Sequence, residues 1–278
     1  MRAVSGIWIA LILVSSLFPF ASVTAASTPN IIINPETSTY HLSPVLEMLE
    51  DEHQEYTIDM VSSGKLDDEF FTFAGDIPGF GYTDSAYWAR VTLENRSTEE
   101  QWYLKISYPP LDIVRLYTEN EDGSFTLRET GDLHSFSSRE VLHRDFIYKL
   151  ELEKDKSETI YIQIITEGSM QFPITLYHAD AFQKSSLLEY LILGLYFGFG
   201  LIMVFYNVFL YFSLRMSSYL WYTLLILFIM FTHFTLNGLG YQYLWPEASW
   251  WNNRAILFFM VCSNITVMIF AKSFLNMN

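Results

Sequence analysis

Trp88 and Arg90 stand two residues apart in a stretch of alternating hydropathy, Tyr87 to Glu94, and that spacing is the first chemical signal in the sequence. Successive side chains of a strand point to opposite faces. Tyr87, Ala89, Val91 and Leu93 therefore share an apolar face, and Trp88 joins Arg90, Thr92 and Glu94 on the polar one. A large aromatic beside a guanidinium on a solvated sheet face is a stacking platform for a sugar ring or another flat ligand; the alternative is a Trp88 covered by a loop. Other chemistries leave weaker traces. None of the six histidines sits at metal-ligand spacing from another histidine or from Cys262, and there is no G-x-S-x-G turn. Asp67 to Glu69 and Glu121 with Asp122 are short acidic clusters that could touch calcium, but in an acidic segment such clusters are ordinarily solvated. Gly79 to Gly81 precedes a strand rather than a helix, so it reads as a turn and not as a phosphate cradle. The chain thus reads as a non-enzyme, with no cofactor and no metal implied.

The elements that must position these residues divide the 278-residue chain into two chemically different parts. From Ser27 to Ser186 there are 29 acidic and 12 basic residues, net −17; from Leu187 to Lys272 only 5 residues are charged. With −15 overall, nucleic acid is excluded as a partner, because phosphate binding needs a basic face. Met1 to Ala26 has the layout of a secretory signal peptide: Arg2, an apolar run from Ile7 to Phe20 that is too short to span a bilayer as a helix, and small residues from Ala21 to Ala26. Three later runs are long enough to span: 187–214, 219–245 and 255–271. Aromatics cluster at both ends of the second, which suits the headgroup zone. Basic residues near the span ends balance, Arg215 and Lys272 against Lys184 and Arg254, so orientation rests on the leader. Export places the acidic part outside the cytoplasm, periplasmic or extracellular, and three spans leave the carboxyl terminus inside.

Inside the spans, Gly194 and Gly198 form a GxxxG pair that allows close helix approach, within one bundle or across a homodimer. Asn207, His233 and Asn237 are intramembrane polar residues; the last two, four apart, project from one face, for interhelical hydrogen bonds or a relay. In the acidic part, Ser43 to Glu50 reads as a helix begun by Ser43 and Pro44. Strands are expected over 87–94, 101–108, 112–119, 125–130, 141–152, 159–166 and 174–178, with Tyr40 and Phe71 to Phe73 as further edges. Seven or eight short strands separated by turn residues, without intervening helices, make an all-β jelly roll or β-sandwich, followed by transmembrane α-helices.

The run Tyr87 to Asn95, then Tyr108 to Asp112 with Val114 and Tyr117, then Gly131, Arg139, His143 to Phe146, Gly168, Ser169 and Pro173, resembles the exported sensor domain of bacterial seven-transmembrane receptors with diverse intracellular signalling modules. Gly194 to Gly198, Tyr206 and Asn207, Leu214 and Arg215, Ser218 to Leu220, Asn237 and Gly238, and Tyr243 to Pro246 are similar to the opening helices of that family's membrane domain. The resemblance implies a jelly-roll domain over 27–186 that binds a carbohydrate or another small ligand. It is coupled through helices in the lipid bilayer to a cytoplasmic output. Trp88 and Arg90, with Arg139, His143 and Arg144, are the expected ligand contacts; Asp112, Arg139, His143 and Arg144 could instead pair with one another on loop ends. Only three of seven spans precede the end at 273–278, so the sequence reads as the front of a longer receptor. The rival reading is a protein-interaction module that docks on a partner receptor or envelope component.

Overall fold

The computed structural model describes residues 30–73 and 75–275. The expected signal peptide and the last three residues lie outside the described residues. Two sheets face each other over a single apolar core. The larger runs β4 (Phe71–Thr72), β3 (Glu47–Asp51), β6 (Ala86–Asn95), β11 (Ser157–Ile165), β8 (Ile113–Glu119), β9 (Phe125–Thr130). Strand β1 (Asn30–Ile33) joins it in parallel, taking Thr92 to Asn95 of β6 where β3 has taken Ala86 to Arg90. The smaller sheet runs β10 (Phe146–Glu151), β7 (Gln101–Ile106), β13 (Ile174–His178), β2 (Thr39–His41), while β5 (Gly79–Tyr82) and β12 (Ser169–Gln171) form a short ribbon.

Alternation explains the core. Tyr87, Ala89, Val91 and Leu93 of β6 and Ile160, Ile162 and Ile164 of its neighbour β11 share one buried cluster with Trp102, Leu104 and Ile106 of β7 in the facing sheet. The opposite face of the larger sheet is covered too. A short helix, α1 (Ile58–Ser62), and the turn at Asp67–Glu69 cross it, and Val61 and Phe70 close over Leu49, Trp88 and Tyr161. Trp88 therefore presents no open platform: it is 1% exposed and stacks on Tyr117 at 5.5 Å. Arg90 is spent inside the same cover, its Nε 2.6 Å from Glu47, its Nη1 2.5 Å from Asp67, its guanidinium 3.8 Å above the Phe70 ring.

Three sequence expectations are corrected. Ser43 to Glu50 is one 3-10 turn followed by β3, because Glu47 to Asp51 find a partner in β6 and Ser43 spends its hydroxyl on the Ile174 backbone rather than on a helix cap. Gly79 to Gly81 is strand, paired with β12. The strand expected from Val141 begins only at Phe146, and the residues before it form a bend.

Among the described residues, three helices are long and apolar enough to cross a membrane: α2 (Ala179–Leu214), α3 (Ser217–Leu236) and α5 (Ser249–Phe274). Helix α2 begins at the residue after β13 and continues for 36 residues. A five-residue helix, α4 (Leu239–Tyr243), follows α3 after a break at Gly238, where the second span was expected to run on to Trp245. Gly238 has φ +73°, and a Cβ there would lie 2.9 Å from the Arg144 carbonyl oxygen and from Pro109 Cβ, so only glycine lets the sandwich loops come this close. The expected packing at Gly194 and Gly198 is not made among the described residues, since a Cβ at either meets nothing within 4 Å. The close approach falls instead at Gly200, against Met230. Asn207 is buried but bonds its own helix at Met203, as Asn237 does at His233; His233 itself meets α2 through the edge of Tyr196. These three make side-chain hydrogen bonds or ring contacts rather than the interhelical hydrogen bonds expected.

Candidate functional site

The first turns of α2 lie across the outer face of the smaller sheet. Phe182 stacks on Tyr103 at 4.9 Å, and two helical turns later Glu189 reaches Lys105, two residues along the same strand face. Lys105 sits between Ile147 of β10 and Thr175 of β13 and is 2% exposed, an unusual place for an ammonium. Its Nζ lies 2.6 and 2.8 Å from the two Glu189 oxygens and 3.1 Å from Asp145. Arg144 closes the ring: Nη2 is 2.6 Å from Glu189 and Nη1 3.3 Å from Asp145. Two cations from the sandwich thus hold one carboxylate of the sandwich and one of the first span. Around this ring the contacts continue, with Arg144 donating to the Asn237 carbonyl at 3.5 Å and Tyr190 to Gln242 at 2.9 Å.

Burial governs the protonation of the neighbours. Asp145 is fully buried, which pushes its carboxyl upward against the pull of Arg144 and Lys105. His143 is held down to about 4 by burial, Lys105 and Arg144, so it is neutral at ordinary pH, and its Nδ1 accepts the Asp145 amide hydrogen at 3.0 Å. His143, Asp145 and Glu189 bring donor atoms within 4.8 Å of one another, a spacing that could hold a metal ion. The donor set does not fit one, because Lys105 and Arg144 already occupy both carboxylates and an added cation would meet them at contact distance.

A second set of contacts ties sandwich loops to α4 and α5. Asp112 accepts from Thr166 and from the Glu167 amide, and its other oxygen accepts from Asn253 of α5 at 3.0 Å. The Phe136 amide donates to the Pro246 carbonyl at 2.8 Å, and the Tyr241 hydroxyl donates to the His134 carbonyl. Arg139 lies in this layer. Its Nη1 donates to the carbonyls of His143 and Arg144, both at 2.7 Å, and its guanidinium packs over Phe136, Phe146 and Tyr241.

The same two-part organisation appears in the comparisons. Residues 43–178 match the family described as 7TMR-DISM extracellular 2, and residues 189–278 match 7TM diverse intracellular signalling. The chain belongs to the 7TMR-DISM family. It is therefore a membrane protein and a sensor or receptor for signalling. No curated protein matches this 7TMR-DISM chain. Among solved structures, the insecticidal crystal protein Cry2Aa is 12% identical, over 36% of this chain and 18% of its own, with a TM-score of 0.22. The α-xylosidase of Xanthomonas citri is 11% identical, over 49% and 16%, with a TM-score of 0.20. These are too distant to bear on the 7TMR-DISM fold.

The structure separates the residues expected to act together. Trp88 and Arg90 lie under the cover of the larger sheet. Arg139, His143 and Arg144 lie at the junction with the helices, where Arg144 pairs with Glu189 rather than only with its loop neighbours. Lys105, Asp145 and Glu189 were missed. Glu189 had a signal, as the lone charge in the first apolar span of a 7TMR-DISM chain, and an intramembrane carboxylate asks for a partner. Lys105 had only its place on the polar face of β7.

Proposed function

We propose that this chain is the sensing and transmitting portion of a receptor. Its sandwich faces away from the cytoplasm, takes a carbohydrate or another small ligand, and passes the bound state to the helices and on to a cytoplasmic output. The observation that carries the reading is the four-membered charge ring. Glu189 on the first span is held by Lys105 and Arg144, so a shift of the bend at 143–145 or of β7 moves a charged point on α2. Breaking buried ion pairs is costly, so the ring favours discrete arrangements over gradual sliding. The absence of a linker between β13 and α2 supports the same transfer. The leader-like composition of Met1 to Ala26 supports the orientation.

Hydrogen exchange on the chain in nanodiscs tests this, with a panel of mono- and disaccharides and small metabolites at millimolar concentration. A ligand that protects the sandwich and also alters exchange at 143–145 and 185–192 supports the reading. A panel without binding, or binding that leaves those segments unchanged, rejects it.

A further inference from the structure

Arg139 is a buried cation without an anion. It is 7% exposed, and it forms no ion pair with a carboxylate among the described residues. Its Nη1 is used by backbone carbonyls, three aromatic rings surround it, and its Nε has no hydrogen-bond partner. Asp145, the carboxylate that pulls on it most, is already shared by Lys105 and Arg144, and Asp132, the next, is pushed up to about 9 by burial and by Asp112, so at neutral pH it is protonated and supplies no compensating charge.

Arg139 lines a cavity of about 290 Å³ between β9, β10 and the turn at Phe136–Ser138. Two further buried polar atoms without partners belong to residues lining the same cavity: Nε of Arg128 and Oγ1 of Thr130. Native proteins rarely leave such atoms unpaired, and three of the eleven unpaired buried side-chain atoms among the described residues belong to residues that line this one cavity. The rest of the lining narrows the class. Glu129 and Glu140 offer carboxylates; Glu129 is held by Arg115 and His134, and Glu140 takes the Lys149 amide and lies 3.4 Å from Arg128. Phe146 and Tyr148 add apolar wall. Two guanidiniums suit a carboxylate, the two acidic residues suit hydroxyl donors, and the volume, at the low end for ligand pockets, suits a small molecule.

We propose that this cavity binds a hydroxylated carboxylate of sugar-acid size, with Arg139 and Arg128 facing its carboxylate and Thr130 among its hydrogen-bond partners. The assignment deepens the receptor reading and rests on it for its consequence. The carbonyls that Arg139 holds belong to the segment 143–145, whose Arg144 and Asp145 side chains form the ring with Glu189. An anion drawing on Arg139 therefore acts on that ring through one intervening backbone segment.

The test is a calorimetric titration of the whole chain in nanodiscs with D-glucuronate, using D-glucose as its neutral twin. Glucuronate binds, and glucose binds at least about tenfold more weakly. Thr130→Val and Arg128→Gln each weaken glucuronate by about tenfold. Thr130→Val leaves the unliganded melting temperature unchanged or raised, because it removes an unpaired buried hydroxyl. Equal binding of the two sugars, no glucuronate binding at about 10 mM, or unaltered affinity in both variants overturns the assignment. The two readings fail separately. Another saccharide that alters exchange around Glu189 while both variants leave its affinity intact removes the cavity and keeps the receptor. Glucuronate bound here without any change around Glu189 keeps the cavity and removes the coupling.

Discussion

Replacing Lys105 by methionine keeps the stem that packs between Ile147 and Thr175 and removes the charge that Asp145 and Glu189 share. Deleting one partner of a buried ion pair costs about 3–5 kcal/mol, because the remaining charge stays desolvated. Glu189 is 29% exposed at its side chain and retains Arg144, so water and the guanidinium relieve part of that cost and the lower end, about 3 kcal/mol, applies. For a domain of this size about 2–4 °C accompanies each kcal/mol, which puts the expected fall in melting temperature at about 6–12 °C. The assay is thermal unfolding of the chain in nanodiscs, followed by tryptophan fluorescence. Adding Glu189→Gln to Lys105→Met removes a stranded carboxylate, so the double variant loses less than the sum of the single losses, by about 2 kcal/mol. A Lys105→Met variant within about 1 °C of the parent, or single losses additive to within about 0.5 kcal/mol, refutes the ring as a unit.

Gly238→Ala places a Cβ 2.9 Å from the Arg144 carbonyl and forces a left-handed φ on a residue with a side chain. It is expected to destabilise by about 1–3 kcal/mol and to raise exchange at 143–145 before it affects the far end of α3; a melt unchanged from the parent would contradict this. Asp132 titrates near 9 in the folded chain against about 4 unfolded. The native state therefore holds this proton the more tightly, and the resulting stability is complete below about pH 4 and is lost as pH rises toward 9. Asp132→Asn cannot lose that proton. It melts higher than the parent at pH 8, with the gap narrowing toward pH 5, and a gap independent of pH would exclude the mechanism.

Period-two alternation placed β6 and β7 and sorted their faces correctly, including Trp88 opposite the core. What alternation cannot carry is whether a face is covered, and the cover over Trp88 comes from Val61 and Phe70, in segments with no periodicity of their own. Ser43 and Pro44 are good helix starters, but they begin only one turn, because the strand pairing of Glu47 to Asp51 with β6 is decided by residues some forty positions away. The family resemblance drew attention to Arg139, His143 and Arg144. Their partners on α2, at Asn237 and on α4 are long-range, and a sequence gives no distance between a strand and a span. Glu189 was the exception, a single carboxylate in an apolar run that announces a counter-charge without saying which one.

The direct passage from His178 into α2 sets a condition on angle as well as on distance. With no loop to absorb torsion, a twist of β13 turns the whole 36-residue rod, which is about 54 Å long. One residue inserted between Ala179 and Glu189 would rotate the carboxylate by about 100° and lift it by about 1.5 Å, away from both Lys105 and Arg144. The junction thus behaves like a keyed shaft. The number of residues between strand and carboxylate fixes the phase in which sandwich and membrane helices engage.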